Sequence, residues 1–195
     1  MVAELIEEKK YSVAEYFEMA RHSELRYEFH YGKLIEMPGK AKKANDIALN
    51  VVEIIRKPFR KKGYKVYAHD IKVAVNNGNT YRCPDVVVAP INDDSDDYFV
   101  LFPEIIVEVA SKNSMHTDSA TKLKEYKKIA TMQYYIIAAQ EEMEVQFYSR
   151  SGDKWTVDIF DLPNDVIDLP LSDTSFSLAD MYDSIKINGQ LFLKD

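Results

Sequence analysis

The chain has 195 residues, 46% of them hydrophobic and 29% charged, with a formal net charge of −7. That length suits one domain over residues 1–195 with a sizeable core, and the composition excludes a disordered chain or a fibre. No stretch approaches the roughly 18 unbroken apolar residues of a membrane span, and the opening MVAELIEEKK lacks the apolar centre of a signal peptide. The expectation is a cytoplasmic protein with no membrane association. Cys83, the one cysteine, excludes an internal disulfide and a multi-cysteine zinc site, and its place beside Pro84 suggests packing.

Ser12 and Glu15 have the spacing of a capping box ahead of an apolar-periodic stretch through Ala20, which predicts the first helix. RYEFHYGKLIEM follows. Alternation puts Tyr27, Phe29 and Tyr31 on one face and Arg26, Glu28 and His30 on the other, and Gly32 supplies the turn of a hairpin. On this pattern alone Glu28 is a solvated residue paired with Arg26. Between Lys42 and Lys62, Ile47, Val51, Ile55 and Phe59 recur every four residues, so this segment is an amphipathic helix. Pro58 is expected to bend or break it near residue 57, and Gly63 to end it.

Residues 64–68 and 71–75 read as strands, and Asn76-Asn77-Gly78-Asn79 is a turn. Val86, Val87 and Val88, between Pro84 and Pro90, form a short β-branched run that reads as a buried strand opened by Asp85. The loop Asn92 to Asp97 is acidic and expected in solvent, without the spacing of a calcium loop. From Glu104 to Ala110, period-2 alternation places Glu104, Ile106, Glu108 and Ala110 on one face and Ile105, Val107 and Val109 on the other. Ala120, Leu123, Tyr126 and Ala130 mark the packed face of a helix over residues 117–130, with Thr117 or Asp118 as its N-cap and Lys122 in its first turns. Residues 133–138, 144–149 and 154–160 read as further strands, with Trp155 as a packing residue. Ser177 to Asp180 repeats the capping-box spacing before a short helix ending near Ile185, and Leu191, Phe192 and Leu193 form a tail apolar enough to dock.

Glu108 falls in the middle of a core strand. An ionised carboxylate there is costly unless it is paired, hydrogen-bonded or bound to a cation. Two carboxylates from neighbouring strands, Asp85 and Glu108, suit a hard divalent ion such as Mg²⁺, which takes oxygen ligands and keeps several waters. Because the chain must reverse after this strand, the start of the next helix lies near Ala110, and Lys122 can reach toward Glu108.

Pro84-Asp85 opening one strand and Glu108 on the next resemble the PD-(D/E)xK nuclease superfamily. Its simple motif has a lysine two residues after the glutamate, where this chain has Ala110. The fuller pattern of Pro84-Asp85, Glu108-Val109-Ala110-Ser111, Asp118 with Lys122, and Tyr126 is similar to the Uma-two family of bacterial endonucleases, in which the lysine has moved onto the helix. The resemblance implies an α/β (α+β) restriction-endonuclease-like core, a central mixed β-sheet flanked by helices. It implies Asp85, Glu108, Lys122 and Glu28 as catalytic residues, the last from the Y-E-x-x-x-G element. It also implies Mg²⁺ or Mn²⁺ held by Asp85, Glu108 and the Val109 carbonyl, with Lys122 orienting the attacking water or stabilising the transition state. Asp118 would hold Lys122 or cap the helix, and Ser111 and Tyr126 would be support. Family members carry a histidine near the start of the second helix; here the nearest match is Asn45 or Asp46, which leaves that role without a counterpart.

The acidic balance argues against a general nucleic-acid binder, but the charges are segregated. Between Lys40 and Lys72 there are ten Lys/Arg against three Asp/Glu, and from Gln140 to Asp195 four against twelve. A basic face of Lys40, Lys42, Lys43, Arg56, Arg60 and Lys61, with Lys124 and Lys128, could track a phosphate backbone, or could be a solvated helix surface. The leading expectation is a metal-dependent endonuclease acting on nucleic acid, with DNA the expected substrate, as a homodimer. Two alternatives stay open: a catalytically inactive dimeric module that regulates or binds nucleic acid, and a metal-free ion-pair cluster in which Lys122 only neutralises Glu108.

Overall fold

Each run of alternating apolar residues found a strand partner. The computed structural model of the chain describes residues 9–92, 96–187 and 189–193, with the main chain alone at 113 and 116–118. Helix α1 (Val13–His22) is closed at its start by the reciprocal Ser12–Glu15 hydrogen bonds. Strands β1 (Arg26–His30) and β2 (Lys33–Met37) form the expected hairpin about Gly32, whose φ is +88°. Helix α2 (Lys42–Lys61) buries Ala44, Ile47, Ala48, Val51, Ile55 and Phe59. Of the bend or break expected near residue 57, the break does not occur, and the helix runs on through Pro58. A proline costs the ladder one hydrogen bond, and here the last turn is anchored by Phe59, fully buried and edge-on to the Tyr64 ring at 5.6 Å.

The chain continues as β3 (Tyr64–Ala68), β4 (Lys72–Val75), β5 (Thr80–Arg82), β6 (Val86–Pro90), β7 (Phe99–Val100) and β8 (Ile105–Ala110). Residues 93–95 of the acidic loop lie outside the described residues. A helical stretch follows: α3 (Lys112–His116), a wide π turn (Thr117–Lys122) and α4 (Leu123–Tyr126). It begins five residues earlier than the predicted 117, because Ser111 caps it, its hydroxyl accepting from the Ser114 amide at 3.3 Å. It also ends earlier, and Ala130 is exposed instead of packed. Strands β9 (Tyr134–Ala139), β10 (Val145–Ser151) and β11 (Lys154–Phe160) match the predicted runs. The hairpin of β12 (Val166–Leu169) and β13 (Thr174–Ser177) has no counterpart among the predicted elements. Helix α5 (Leu178–Met181) has the expected Ser177–Asp180 capping box but stops short of Ile185. After β14 (Lys186–Ile187) and β15 (Gln190–Leu191), Phe192 packs on the core while Leu191 and Leu193 stay exposed.

The strands assemble as a six-stranded mixed sheet, β11-β10-β9-β8-β6-β3, and a five-stranded sheet, β2-β1-β5-β4-β7. In the first, β8 and β9 are parallel, so a crossover must join them, and the helical stretch is that crossover. Val86, Val88, Ile105, Val107 and Val109 pack toward α2 and α5. Val87, Ala89, Ile106 and Ala110, on the other face, meet Val73 and Val75 of the second sheet and Leu123 and Tyr126 of the crossover. The central mixed sheet is therefore covered by a helix on one side and by a helix plus a second sheet on the other. Glu108, with the parity of Ile106 and Ala110, faces this second layer.

Candidate active site

Asp85 sits just before β6 and is fixed by main-chain hydrogen bonds on both sides. Its amide donates to the Val107 carbonyl at 3.1 Å, and its carbonyl accepts from the His69 amide at 3.1 Å. Strands β6 and β8 pair with Val86 opposite Val107, so one further step puts Asp85 opposite Glu108. Both carboxylates are buried. Asp85 Oδ2 accepts the Val109 amide at 2.7 Å and the Lys40 ammonium at 2.5 Å, and the same ammonium lies 3.4 Å from the Val109 carbonyl. Two oxygens proposed from sequence as metal ligands thus converge on one positive charge.

Lys122 reaches Glu108 across the crossover. Its Nζ donates to Glu108 Oε1 at 2.8 Å and lies 3.7 Å from Glu28 Oε1, and the Tyr126 hydroxyl donates to Glu108 Oε1 at 3.3 Å. The π turn widens the helix just before Lys122 and so helps set its azimuth over the sheet end. The side chain of Asp118 lies outside the described residues. Burial of Tyr126, with the Glu108 charge beside it, pushes its hydroxyl well above the ordinary range, so it remains a donor.

Glu28 is buried, in contrast to the solvated residue that alternation suggests, and its partner is Arg82 instead of Arg26. Arg26 pairs with Asp70 at 2.5 Å. Glu28 Oε2 accepts Arg82 Nη1 at 2.7 Å, and Oε1 accepts the Cys83 amide at 3.1 Å. Burial alone would raise the Glu28 carboxyl, but the charges of Lys122 and Arg82 outweigh it and hold the group below the usual range. Arg82 also grips Glu125 with two hydrogen bonds, Nε to Oε2 at 2.8 Å and Nη2 to Oε1 at 2.9 Å. His30 closes the chain of contacts, its Nδ1 3.5 Å from Glu125 Oε1.

Asp85, Glu108, Lys122 and Glu28 are therefore brought together, joined by Lys40, Arg82 and Glu125, to which sequence reasoning gave no place in the site. Glu125 had a signal: it lies three residues after Lys122, on the same helix face. Arg82 falls at an inward position of a strand too short to show periodicity. Lys40 belongs to a connector, where no period exists.

Among the described residues no three His, Cys, Asp or Glu side chains gather to form a metal cage. The Glu28 oxygens are engaged by Arg82, by the Cys83 amide and by Lys122, whose ammonium also holds Glu108. Magnesium needs only one or two carboxylates and keeps its waters, so the donor set of Asp85, Glu108 and the Val109 carbonyl suits it. Among the described side chains, the carboxylates of Glu28, Asp85, Glu108 and Glu125 stand among Lys40, Arg82 and Lys122, with His30 beside Glu125. The expected basic face is divided: Lys42, Arg56, Arg60 and Lys61 lie exposed along α2, while Lys124 and Lys128 are exposed on the opposite layer.

Comparison with known proteins gives the family and the fold. A model of the Uma2 family, described as "Putative restriction endonuclease", matches residues 13–179. Two Synechocystis proteins described as uncharacterized are related: sll1609 is 25% identical over 73% of this chain and 82% of its own length. The other, slr1290, is 23% identical over 74% and 76%. The crystal structure of "a putative nuclease belonging to DUF820" from Anabaena variabilis superposes with a TM-score of 0.70 at 17% identity, over 88% of this chain and 97% of that one, and shares the fold. No helix among the described residues is long and apolar enough to cross a membrane.

Proposed function

This chain belongs to the Uma2 family, and on that premise we propose that it is a divalent-metal-dependent endonuclease that hydrolyses phosphodiester bonds of DNA. The observation that carries this reading is the convergence at one sheet end of the Asp85 carboxylate, the Val109 carbonyl and the Lys122–Glu108 pair. Asp85, Glu108 and the Val109 carbonyl would hold Mg²⁺ or Mn²⁺. When bound, such an ion supplies a water of lowered pKa and offsets charge on the scissile phosphate. Lys122, anchored by Glu108 and flanked by Glu28, would orient the attacking water or offset the charge that builds on phosphorus. Glu28 and Arg82 act through Lys122 as positioning residues. A homodimer would supply one such site for each strand of a duplex.

The test is cleavage of double-stranded DNA, single-stranded DNA and RNA with Mg²⁺, with Mn²⁺ and with EDTA, beside Glu108→Ala. Cleavage of DNA that needs the metal and Glu108 supports the proposal; cleavage that survives both EDTA and the substitution overturns it. Light scattering with and without DNA reads the dimer.

A further inference from the structure

Lys40 lies in the exposed connector between β2 and α2, yet its ammonium reaches inward to a buried carboxylate. It touches Asp85 Oδ2 and the Val109 carbonyl, two of the three donors assigned to the divalent ion. Asp85 Oδ2 already accepts the Val109 amide, so it has room for one cation at contact distance. Two cations on that oxygen would lie about 4 Å apart, where like charges repel strongly once water is partly excluded. Lys40 and a divalent ion therefore compete for Asp85 Oδ2 and the Val109 carbonyl. Lys122 differs: it is buried, comes from a helix, and is held by Glu108 with Glu28 alongside.

Lys40 is also built to leave. Its side chain is 27% exposed and stands on a flexible four-carbon stem. A Cβ placed on the neighbouring Gly39 would meet nothing within 4 Å, so that side of the connector is open. Resting on the cation site proposed above, we infer that Lys40 is the resident cation of that site. It neutralises Asp85 until a divalent ion takes its position, and its released ammonium then binds a phosphate of the nucleic acid beside the one being cut. The exposed Lys42 extends positive charge along the same connector and helix start.

The experiment titrates Mn²⁺ calorimetrically into the full chain without nucleic acid, using the unmodified protein, Lys40→Met, Lys40→Gln and Asp85→Ala, with circular dichroism to confirm folding. A second arm measures binding of a fluorescent DNA duplex in Ca²⁺. Both Lys40 variants are expected to bind Mn²⁺ about three- to tenfold more tightly, and DNA about tenfold more weakly, while Asp85→Ala loses Mn²⁺. Mn²⁺ binding by the variants but not by the unmodified chain also supports the displacement. Equal Mn²⁺ affinity in the unmodified and Lys40 chains overturns the displacement and leaves the metal site standing. No Mn²⁺ binding in any form overturns the metal site and this inference together. Unchanged DNA affinity in the Lys40 variants, or no DNA binding in any form, overturns the transfer to phosphate.

Discussion

The Arg82 guanidinium grips Glu125 through two parallel hydrogen bonds of 2.8 and 2.9 Å, although 43 residues separate them. Its third nitrogen holds Glu28, so one buried cation ties the second sheet to the crossover helix that carries Lys122. Arg82→Met would leave Glu28 and Glu125 without this charge. The expected cost is about 3–5 kcal/mol of stability by urea unfolding, the range for breaking a buried ion pair from one side. Arg82→Lys should recover only part of it, because an ammonium cannot present the planar fork. Equal stability of the Met variant and the parent would show that the network contributes nothing to the fold.

Lys122→Met separates a catalytic ammonium from a structural one. If Lys122 stabilises charge in the transition state, DNA cleavage falls on the order of 10²–10³-fold while Mn²⁺ binding through Asp85 persists. If Lys122 only offsets Glu108, stability drops and cleavage per folded molecule is unchanged. Single-turnover kinetics beside a chemical melt distinguishes the two.

The Glu28 carboxyl is held below its ordinary value of 4.5, so the folded state favours its ionised form. The stability this contributes is complete above the unfolded pKa and is lost as the pH falls through the lower folded value. Glu28→Gln should therefore differ most from the parent at neutral pH, and the difference should shrink below about pH 4.5. Urea melts from pH 3 to 7 would show a flat difference if Glu28 were not linked to folding.

Burial, with the Glu28 charge nearby, pushes the Cys83 thiol up to about 11. The thiolate is the reactive form, so iodoacetamide at pH 8 should label the native chain far more slowly than the chain in urea. Labelling at equal rates, followed by mass spectrometry, would place Cys83 at the surface.

The strands of the central sheet and the face that Glu108 occupies were legible in the order of the residues. Period-2 alternation from Glu104 to Ala110 already assigned Glu108 to the face opposite Val107 and Val109, because successive side chains in a strand have no other choice. The four-residue recurrence of Ile47, Val51, Ile55 and Phe59 likewise fixed the buried face of α2. How the charges pair depends on contacts between segments far apart in the chain. Alternation could say that Glu28 and Arg26 share a face, but not that a strand 54 residues further on would bring Arg82 to Glu28 and send Arg26 to Asp70. Nor could any local pattern show Lys40, on a connector, resting on Asp85. Burial periodicity is a property of neighbours along the chain, whereas the partner of a buried charge is chosen by whichever opposite charge the fold brings within reach, since leaving it alone costs more than almost any local preference can offset.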